Sequence, residues 1–293
     1  MSRLKKFLAT FTSKNTIKTY RFALKTYFEY IYDVGVELEE ASERYFKEIR
    51  NYEEDITGFF ASIKERPPTT VRMMLSRVKI FLSENDVELP DKFWRKLRGR
   101  RKGSRALTQD KVPSNIEFRK ILTHLPIQGK ALALTLGSSG MRIGEALELK
   151  LNDIELESEP MRINIPGGIT KTGNPRVAFV SSEAKEVIQE WIKVREQYLE
   201  AASGKSHKYG KSKVDDRLFP FEETTAYVMW HNALNKAGMQ ERDNSTNRHK
   251  MHIHTLRKFF RSKAATLIPV DIVEALMGHE GYLTEVYRKH GVE

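Results

Sequence analysis

The sequence of 293 residues contains no cysteine. That absence excludes disulfide bonds, cysteine nucleophiles and zinc sites with thiolate ligands. Apolar runs are short, and none approaches the roughly 20 residues that a membrane-spanning helix needs. The N-terminus also lacks the apolar core of a signal peptide. We therefore expect a cytoplasmic protein with no membrane partner.

Acidic residues are in the minority. The chain has 39 Asp and Glu against 50 Lys and Arg, which gives a formal net charge of +11. The excess of basic residues extends over the whole sequence: residues 1–100 hold 20 basic and 15 acidic side chains, and residues 101–293 hold 30 basic and 24 acidic ones. This balance favours a polyanionic partner such as a nucleic acid.

One segment has no acidic residue at all. Residues 95–105 read RKLRGRRKGSR, and glycine and serine interrupt the positive charges. We interpret residues 98–113 as a basic linker between a domain at 1–97 and a second domain at 114–293. The candidate DNA-contacting side chains are Lys14, Lys18, Arg98, Arg100, Arg101, Lys102 and Arg105.

Apolar spacing predicts a helical first domain, with Ser13 or Asn15 capping its main helix. The predicted helices of this small bundle cover residues 16–32, 42–64, 69–84 and 91–98. The second domain is mixed, with a small antiparallel sheet. Its predicted strands are 161–165, 169–172 and 176–180, the last two flanking a Gly-Asn-Pro turn, and its predicted helices are 115–124, 142–149, 182–202, 222–237, 254–267, 270–277 and 281–290.

Four short segments carry candidate chemistry. Arg142 follows a glycine turn at the start of a helix, and Glu145 lies on the same helical face, where it could hold the guanidinium. Taken alone, this pair also fits an ordinary surface ion pair. Lys171 lies on the predicted hairpin turn, where it could donate a proton to a leaving oxygen or simply be exposed.

The third segment is His254-Thr-Leu-Arg257, which places an imidazole and a guanidinium on one helix face. Such a pair suits a phosphate diester, whose oxygens accept charged hydrogen bonds. A basic surface helix is the plain alternative. A metal site is another, because His249, His252 and His254 lie within six residues, but no carboxylates flank them at ligand spacing.

The fourth segment holds His279 and Tyr287. Tyrosine, with a free pKa of about 10, is a nucleophile only where cations stabilise its phenolate; otherwise Tyr287 is an aromatic that packs in an amphipathic helix. We find no Walker loop, no H-E-x-x-H motif and no paired carboxylates for a metal. We therefore expect no cofactor and no metal.

In order, these residues resemble the active-site series of the tyrosine recombinase (phage integrase) family: Arg142, Lys171, His254, Arg257, His279 and Tyr287. The resemblance extends over the chain. It implies a mainly α fold with a small antiparallel sheet, in which an N-terminal helical core-binding (SAM-like) bundle precedes an α+β catalytic domain.

The resemblance also implies a mechanism. Tyr287 would attack a DNA phosphate to give a 3′-phosphotyrosine, and Lys171 would protonate the leaving 5′ oxygen. Arg142 and Arg257 would bind the non-bridging oxygens, with His254 and His279 assisting and Glu145 orienting Arg142. Strand exchange would then proceed through a Holliday junction, without ATP or metal.

The family resemblance implies partners as well. These are double-stranded DNA with a specific recombination site and three further copies of the chain, the free protein being a monomer. The expected setting is a nucleoid-associated protein of a prokaryote or virus, acting in the cytoplasm on a mobile element or an integrating viral genome.

Two features depart from the common pattern. Only six residues follow Tyr287, so the way protomers interlock is left open. The spacing from His279 to Tyr287 is about one residue short, which leaves Tyr282 as an alternative nucleophile. Two other functions stay open: a type IB topoisomerase-like enzyme that rejoins the same strand, and a DNA-binding protein of this fold without catalysis.

Overall fold

The computed structural model describes residues 1–100, 103, 107–205, 214–244 and 246–279. These residues form mainly helices with one three-stranded sheet, so the predicted fold class is confirmed. The chain divides into two compact units, Met1–Leu107 and Thr108–Glu293, and the division falls inside the predicted linker. No helix in the described ranges is long and apolar enough to cross a membrane.

The first unit has more helices than the four expected from its sequence. They are α1 (Arg3–Ala9), α2 (Lys14–Tyr32), α3 (Leu38–Tyr45), α4 (Tyr52–Ile63), α5 (Pro68–Ser83) and α6 (Asp91–Arg100). Ser13 caps α2, its hydroxyl accepting a hydrogen bond from the Thr16 amide at 3.3 Å. Aromatic and aliphatic side chains of α2, α4 and α5 fill the core, among them Tyr27, Phe28 and Phe59.

Two helix predictions in this unit were wrong. The predicted single helix at 42–64 is broken between Tyr45 and Tyr52, where Asn51 caps α4 and Arg50 pairs with Asp55 at 2.7 Å. Those polar bonds offer the backbone an alternative to helix at the break. The helix α6 continues to Arg100, so the first residues of the predicted linker are helical.

The second unit places a small sheet among seven helices of the described residues. In chain order its elements are α7 (Asn115–Leu122), α8 (Ile127–Ser139), α9 (Ile143–Glu148), β1 (Ile154–Glu155), β2 (Met161–Ile165), β3 (Arg176–Val180), α10 (Ser182–Lys205), α11 (Glu223–Lys236), α12 (Thr255–Ala264) and α13 (Val270–Leu276). The strands run antiparallel in the order β1-β2-β3, with Met161 opposite Val180. Helix α8 is apolar on all sides and is almost wholly buried at the centre.

The predicted strand at 169–172 was wrong. The hairpin consists of β2 and β3, joined by residues 166–175, and this connection contains one turn of 3₁₀-helix at Gly167–Ile169. Pro166 ends β2, and the backbone at Gly167 approaches the Gly173 carbonyl so closely that a Cβ would clash with it. The predicted helix 281–290 lies outside the described residues.

Candidate active site

The site begins at the tight junction between α8 and α9. Gly140 ends α8 with a φ of +65°, and a Cβ there would overlap the Phe260 ring, so only glycine fits. The turn places Arg142 directly before α9. Glu145, in the first turn of α9, accepts the Arg142 amide at 2.8 Å and its Nη1 at 2.9 Å. The predicted pairing of Arg142 with Glu145 therefore exists in the structure.

A second arginine, Arg176 at the start of β3, binds the same carboxylate. Its Nη2 donates to Glu145 Oε2 at 2.6 Å and its Nη1 to Oε1 at 3.2 Å. Burial of the Glu145 side chain, which is only 2% exposed, opposes ionisation. The hydrogen bonds from Arg176 and Arg142 outweigh that effect, so the pKa of Glu145 is lowered. One buried anion thus serves two cations.

Arg257 on α12 is buried beside this group. Its Nη1 donates to the Gly140 carbonyl, and its Nη2 donates to the Met277 carbonyl at 2.7 Å. Burial, followed by repulsion from Arg142, lowers the pKa of Arg257 to about 10. Among the described residues, Arg257 bonds to two carbonyls and a histidine and pairs with no carboxylate, so no direct partner neutralises its charge. Arg257 therefore favours an arriving anion.

His279 follows α13 and meets Arg257 from the other side. Its Nε2 lies 2.8 Å from Arg257 Nη2, and its Nδ1 bonds to a carboxylate oxygen of Glu274. Glu274 also accepts from Arg261 Nε at 2.5 Å. The His279 bond is the main cause of the lowered pKa of Glu274. These contacts fit a ring that donates from Nδ1 and accepts at Nε2.

Two predicted site residues make no direct contact with this group. His254 is the residue before α12, and its side chain keeps solvent contact. Desolvation, then the charges of His252 and Arg257, lower the pKa of His254. Lys171 is exposed on the β2–β3 connection, and forms no hydrogen bond or ion pair with any residue that the structure describes.

Of the three clustered histidines, His252 and His254 have nearly parallel rings with 6.3 Å between their centroids. His249 stacks on His231 with 4.5 Å between ring centroids, whereas His252 Nε2 lies 3.1 Å from Asp110 Oδ1. Within the described ranges, no group of three or more histidine or acidic side chains is arranged to hold a metal ion.

Several predicted residues lie outside the described residues. They are Tyr287, the alternative nucleophile Tyr282, and the linker residues Arg101, Lys102 and Arg105. The described cations Lys14, Lys18, Arg98 and Arg100 are all exposed in the first unit.

Sequence analysis missed Arg176 and Glu274. A signal for Arg176 exists, because strand periodicity places it on the same face as the buried Ala178 and Val180. A charged residue on a buried face requires a partner. No comparable pattern marks Glu274, whose role depends on the turn at Gly278 (φ +68°) that brings His279 back toward α13.

Chemically, the arrangement is an anion site. Arg142 and Arg176 share one buried carboxylate, that of Glu145, and Arg142 remains 26% exposed. Arg257 lies buried beside them and bonds to two carbonyls and His279. Comparison with known proteins identifies the family of the chain. Residues 105–291, more than half of the chain, match the phage integrase family. The chain belongs to the phage integrase family.

Relatives of this integrase-family chain support the assignment. Tyrosine recombinase XerA of Saccharolobus solfataricus is 25% identical over 276 residues, which are 93% of this chain and 81% of the relative. Tyrosine recombinase XerC of Roseiflexus castenholzii is 24% identical over 284 residues, covering 94% and 83%. The family prediction is thus confirmed.

Solved structures agree on the fold. A lambda integrase tetramer bound to a Holliday junction aligns with a TM-score of 0.65 at 14% identity, covering 99% of this chain and 78% of that one. At this identity the likeness concerns the fold alone.

Proposed function

We propose that this chain is a site-specific tyrosine recombinase that cuts and rejoins DNA strands through a 3′-phosphotyrosine on Tyr287. The observation that carries the proposal is a cluster of three arginines with one buried carboxylate: Arg142 and Arg176 bind Glu145, and the buried Arg257 beside them binds two carbonyls and His279. A scissile phosphate gains negative charge on its non-bridging oxygens as the nucleophile attacks. Arg142 and Arg257 are suited to bind those oxygens.

The remaining roles are those that the family resemblance implies. The Tyr287 hydroxyl gives up its proton to solvent as its oxygen attacks phosphorus, and the bond to the 5′ oxygen breaks, with Lys171 supplying the proton to the leaving oxygen. An exposed lysine on a ten-residue connection suits a group that must reach the bound strand. His254 and His279 assist at the phosphate, and Glu145 holds Arg142. Reversal by the 5′-hydroxyl of another strand completes the exchange.

The proposed partner is double-stranded DNA, contacted on the first unit by Lys14, Lys18, Arg98 and Arg100 and along the linker by Arg101, Lys102 and Arg105. Two relatives are tyrosine recombinases, XerA and XerC, which supports a recombinase. The lambda integrase neighbour is a tetramer on a Holliday junction. We propose the same assembly here, formed on DNA from free monomers.

Covalent capture tests the function. The full-length protein is incubated in EDTA with fragmented genomic and mobile-element DNA and denatured with detergent. Protein-linked DNA is then recovered and its attached ends are sequenced. Tyr287→Phe and Tyr282→Phe proteins are treated in parallel, and both are checked for folding and DNA binding.

The expected result is a 3′-linked adduct at one recurring sequence that is lost in Tyr287→Phe and retained in Tyr282→Phe. Adducts at scattered sequences would instead identify a topoisomerase-like enzyme. A folded, DNA-binding protein that forms no adduct with any DNA would contradict the proposed catalysis.

A further inference from the structure

Arg176 joins three elements of the second unit, and no step of the reaction so far uses it. It begins β3, it binds Glu145 on α9 with two hydrogen bonds, and its Nε donates to the Leu276 carbonyl at 3.1 Å. The side chain is 11% exposed, so these bonds lie mostly out of water. A guanidinium with donors in a fixed fork can make such bonds together, whereas an ammonium cannot.

The bond to Glu145 controls the charge available to Arg142. Glu145 is 2% exposed, and each of its two oxygens accepts hydrogen bonds from both Arg142 and Arg176. Without Arg176, the carboxylate would be neutralised by Arg142 alone. The Arg142 guanidinium would then be held more strongly by Glu145, and less of its charge would be available to an arriving phosphate.

The bond to Leu276 fixes the end of α13. The next carbonyl, that of Met277, accepts from Arg257, and Gly278 then turns the chain so that His279 faces Arg257. A Cβ at Gly278 would lie 2.9 Å from Arg176 Nε, so the turn packs against this side chain. Two adjacent carbonyls at the end of α13 are therefore held by two arginines.

We propose that Arg176 is a positioning residue that sets both Arg142 and His279 for the phosphate. The proposal rests on the recombinase function proposed above, and it concerns a residue that acts through its neighbours. It requires that loss of Arg176 slow strand cleavage far more than it weakens DNA binding, and that this loss depend on Glu145.

The first experiment measures single-turnover cleavage of the DNA site recovered by covalent capture, together with its affinity. We expect Arg176→Gln to cleave about 10- to 100-fold more slowly, as displaced catalytic groups do, with a much smaller change in Kd. Arg176→Lys should recover part of the rate, because an ammonium can pair with Glu145 but cannot also hold Leu276.

Two further proteins separate positioning from general destabilisation. Arg162 on the neighbouring strand β2 pairs with Glu155 at 3.7 Å near the sheet edge, so Arg162→Gln is the matched control and should cleave at the normal rate. The double variant Glu145→Gln with Arg176→Gln should be slower than Glu145→Gln alone by a smaller factor than Arg176→Gln costs in the wild type, because only the effect that acts through the Leu276 carbonyl is left to lose. Additive losses, or normal cleavage by Arg176→Gln, would overturn the proposal.

A second experiment needs no DNA. Hydrogen exchange in residues 270–279 should be faster in Arg176→Gln than in the wild type or Arg162→Gln, since the end of α13 has lost an anchor. Unchanged exchange would overturn the anchoring of His279. If the wild type forms no covalent adduct, the recombinase proposal fails, while faster exchange would still support Arg176 as the anchor of α13.

Discussion

Each unit contains an arginine network, and the two differ in charge balance. In the first unit, Arg50 bonds Asp55 and Glu48 at 2.7 Å each, and the Tyr45 hydroxyl donates to Asp55 at 3.0 Å. In the second unit, Arg142 and Arg176 share Glu145, while Arg257 bonds, among the residues that the structure describes, to carbonyls and His279 only.

This difference in charge balance shifts the pKa values of the two arginines in opposite directions. Hydrogen bonding to Asp55 raises the pKa of Arg50, whereas burial and the charge of Arg142 lower the pKa of Arg257 to about 10. Carboxylate partners already neutralise Arg50 in the first network. No described carboxylate bonds to Arg257 in the second network, so that network favours an added anion. The first network is therefore structural, and the second is suited to a phosphate.

The largest effect is expected on the cleavage rate when the second network loses an arginine. Arg257→Ala should reduce the cleavage rate by about 100- to 1,000-fold, because it removes charged hydrogen bonds to the transition state. Affinity for the site should fall much less. Single-turnover cleavage and fluorescence anisotropy on one duplex measure the two quantities. Equal losses in both would make Arg257 a simple phosphate anchor and weaken the contrast.

Disrupting the first network should lower the stability of the protein and leave catalysis unchanged. Asp55→Asn leaves Arg50 without one of its charged partners, so the free energy of unfolding should fall by about 1.5–3 kcal/mol. Urea unfolding measures this change. Cleavage by the folded variant should match the wild type, and a rate as low as that of Arg257→Ala would contradict the distinction between the networks.

A smaller effect concerns Glu274. Its lowered pKa means that the ionised carboxylate stabilises the fold above the ordinary value of about 4.3, and that this stability is lost as pH falls through the lowered folded-state pKa. Glu274→Gln should therefore be less stable at neutral pH, by about 0.5–1 kcal/mol. Its stability should also depend less on pH below 5, as acid titration of unfolding would show; an identical pH profile would refute the pairing.

The smallest effect is expected at the linker. Replacing Arg100 and Arg101 by alanine should weaken binding to all DNA sequences alike and reduce the slope of log affinity against log salt by about one unit per lost phosphate contact. Anisotropy titrations at several salt concentrations measure the slope. If the slope does not change, these residues do not contact DNA.

Local sequence patterns were sufficient to predict many of the helices and one ion pair of the site. The helical period predicted α2 with Ser13 or Asn15 as its cap, and Ser13 is the cap observed. A glycine followed by Arg142 and Glu145 three residues apart predicted their ion pair. These features depend on neighbours within one or two turns. The order of polar motifs along the chain was sufficient for the family, which the match over residues 105–291 confirms.

Long-range contacts were not predictable in the same way. Arg176 and Glu145 are 31 residues apart in sequence, and only the folded sheet brings them together. The prediction of a strand at 169–172 was wrong because Gly167 approaches Gly173 closely, so the segment forms a compact connection and does not pair as a strand. At the break between α3 and α4 the contacts are local, because Arg50 pairs with Glu48 two residues before it and with Asp55 five residues after it, but the apolar spacing does not reveal them.

The most direct test of the central claim removes charge from the phosphate. A duplex with a methylphosphonate at the scissile position lacks one charged non-bridging oxygen, so an arginine that neutralises that charge should become dispensable. We predict that Arg257→Ala, slower than wild type by about 100-fold or more on phosphate, approaches the wild-type rate of adduct formation on the methylphosphonate. An equally large defect on both duplexes would contradict the claim that the uncompensated charge of this site serves the phosphate.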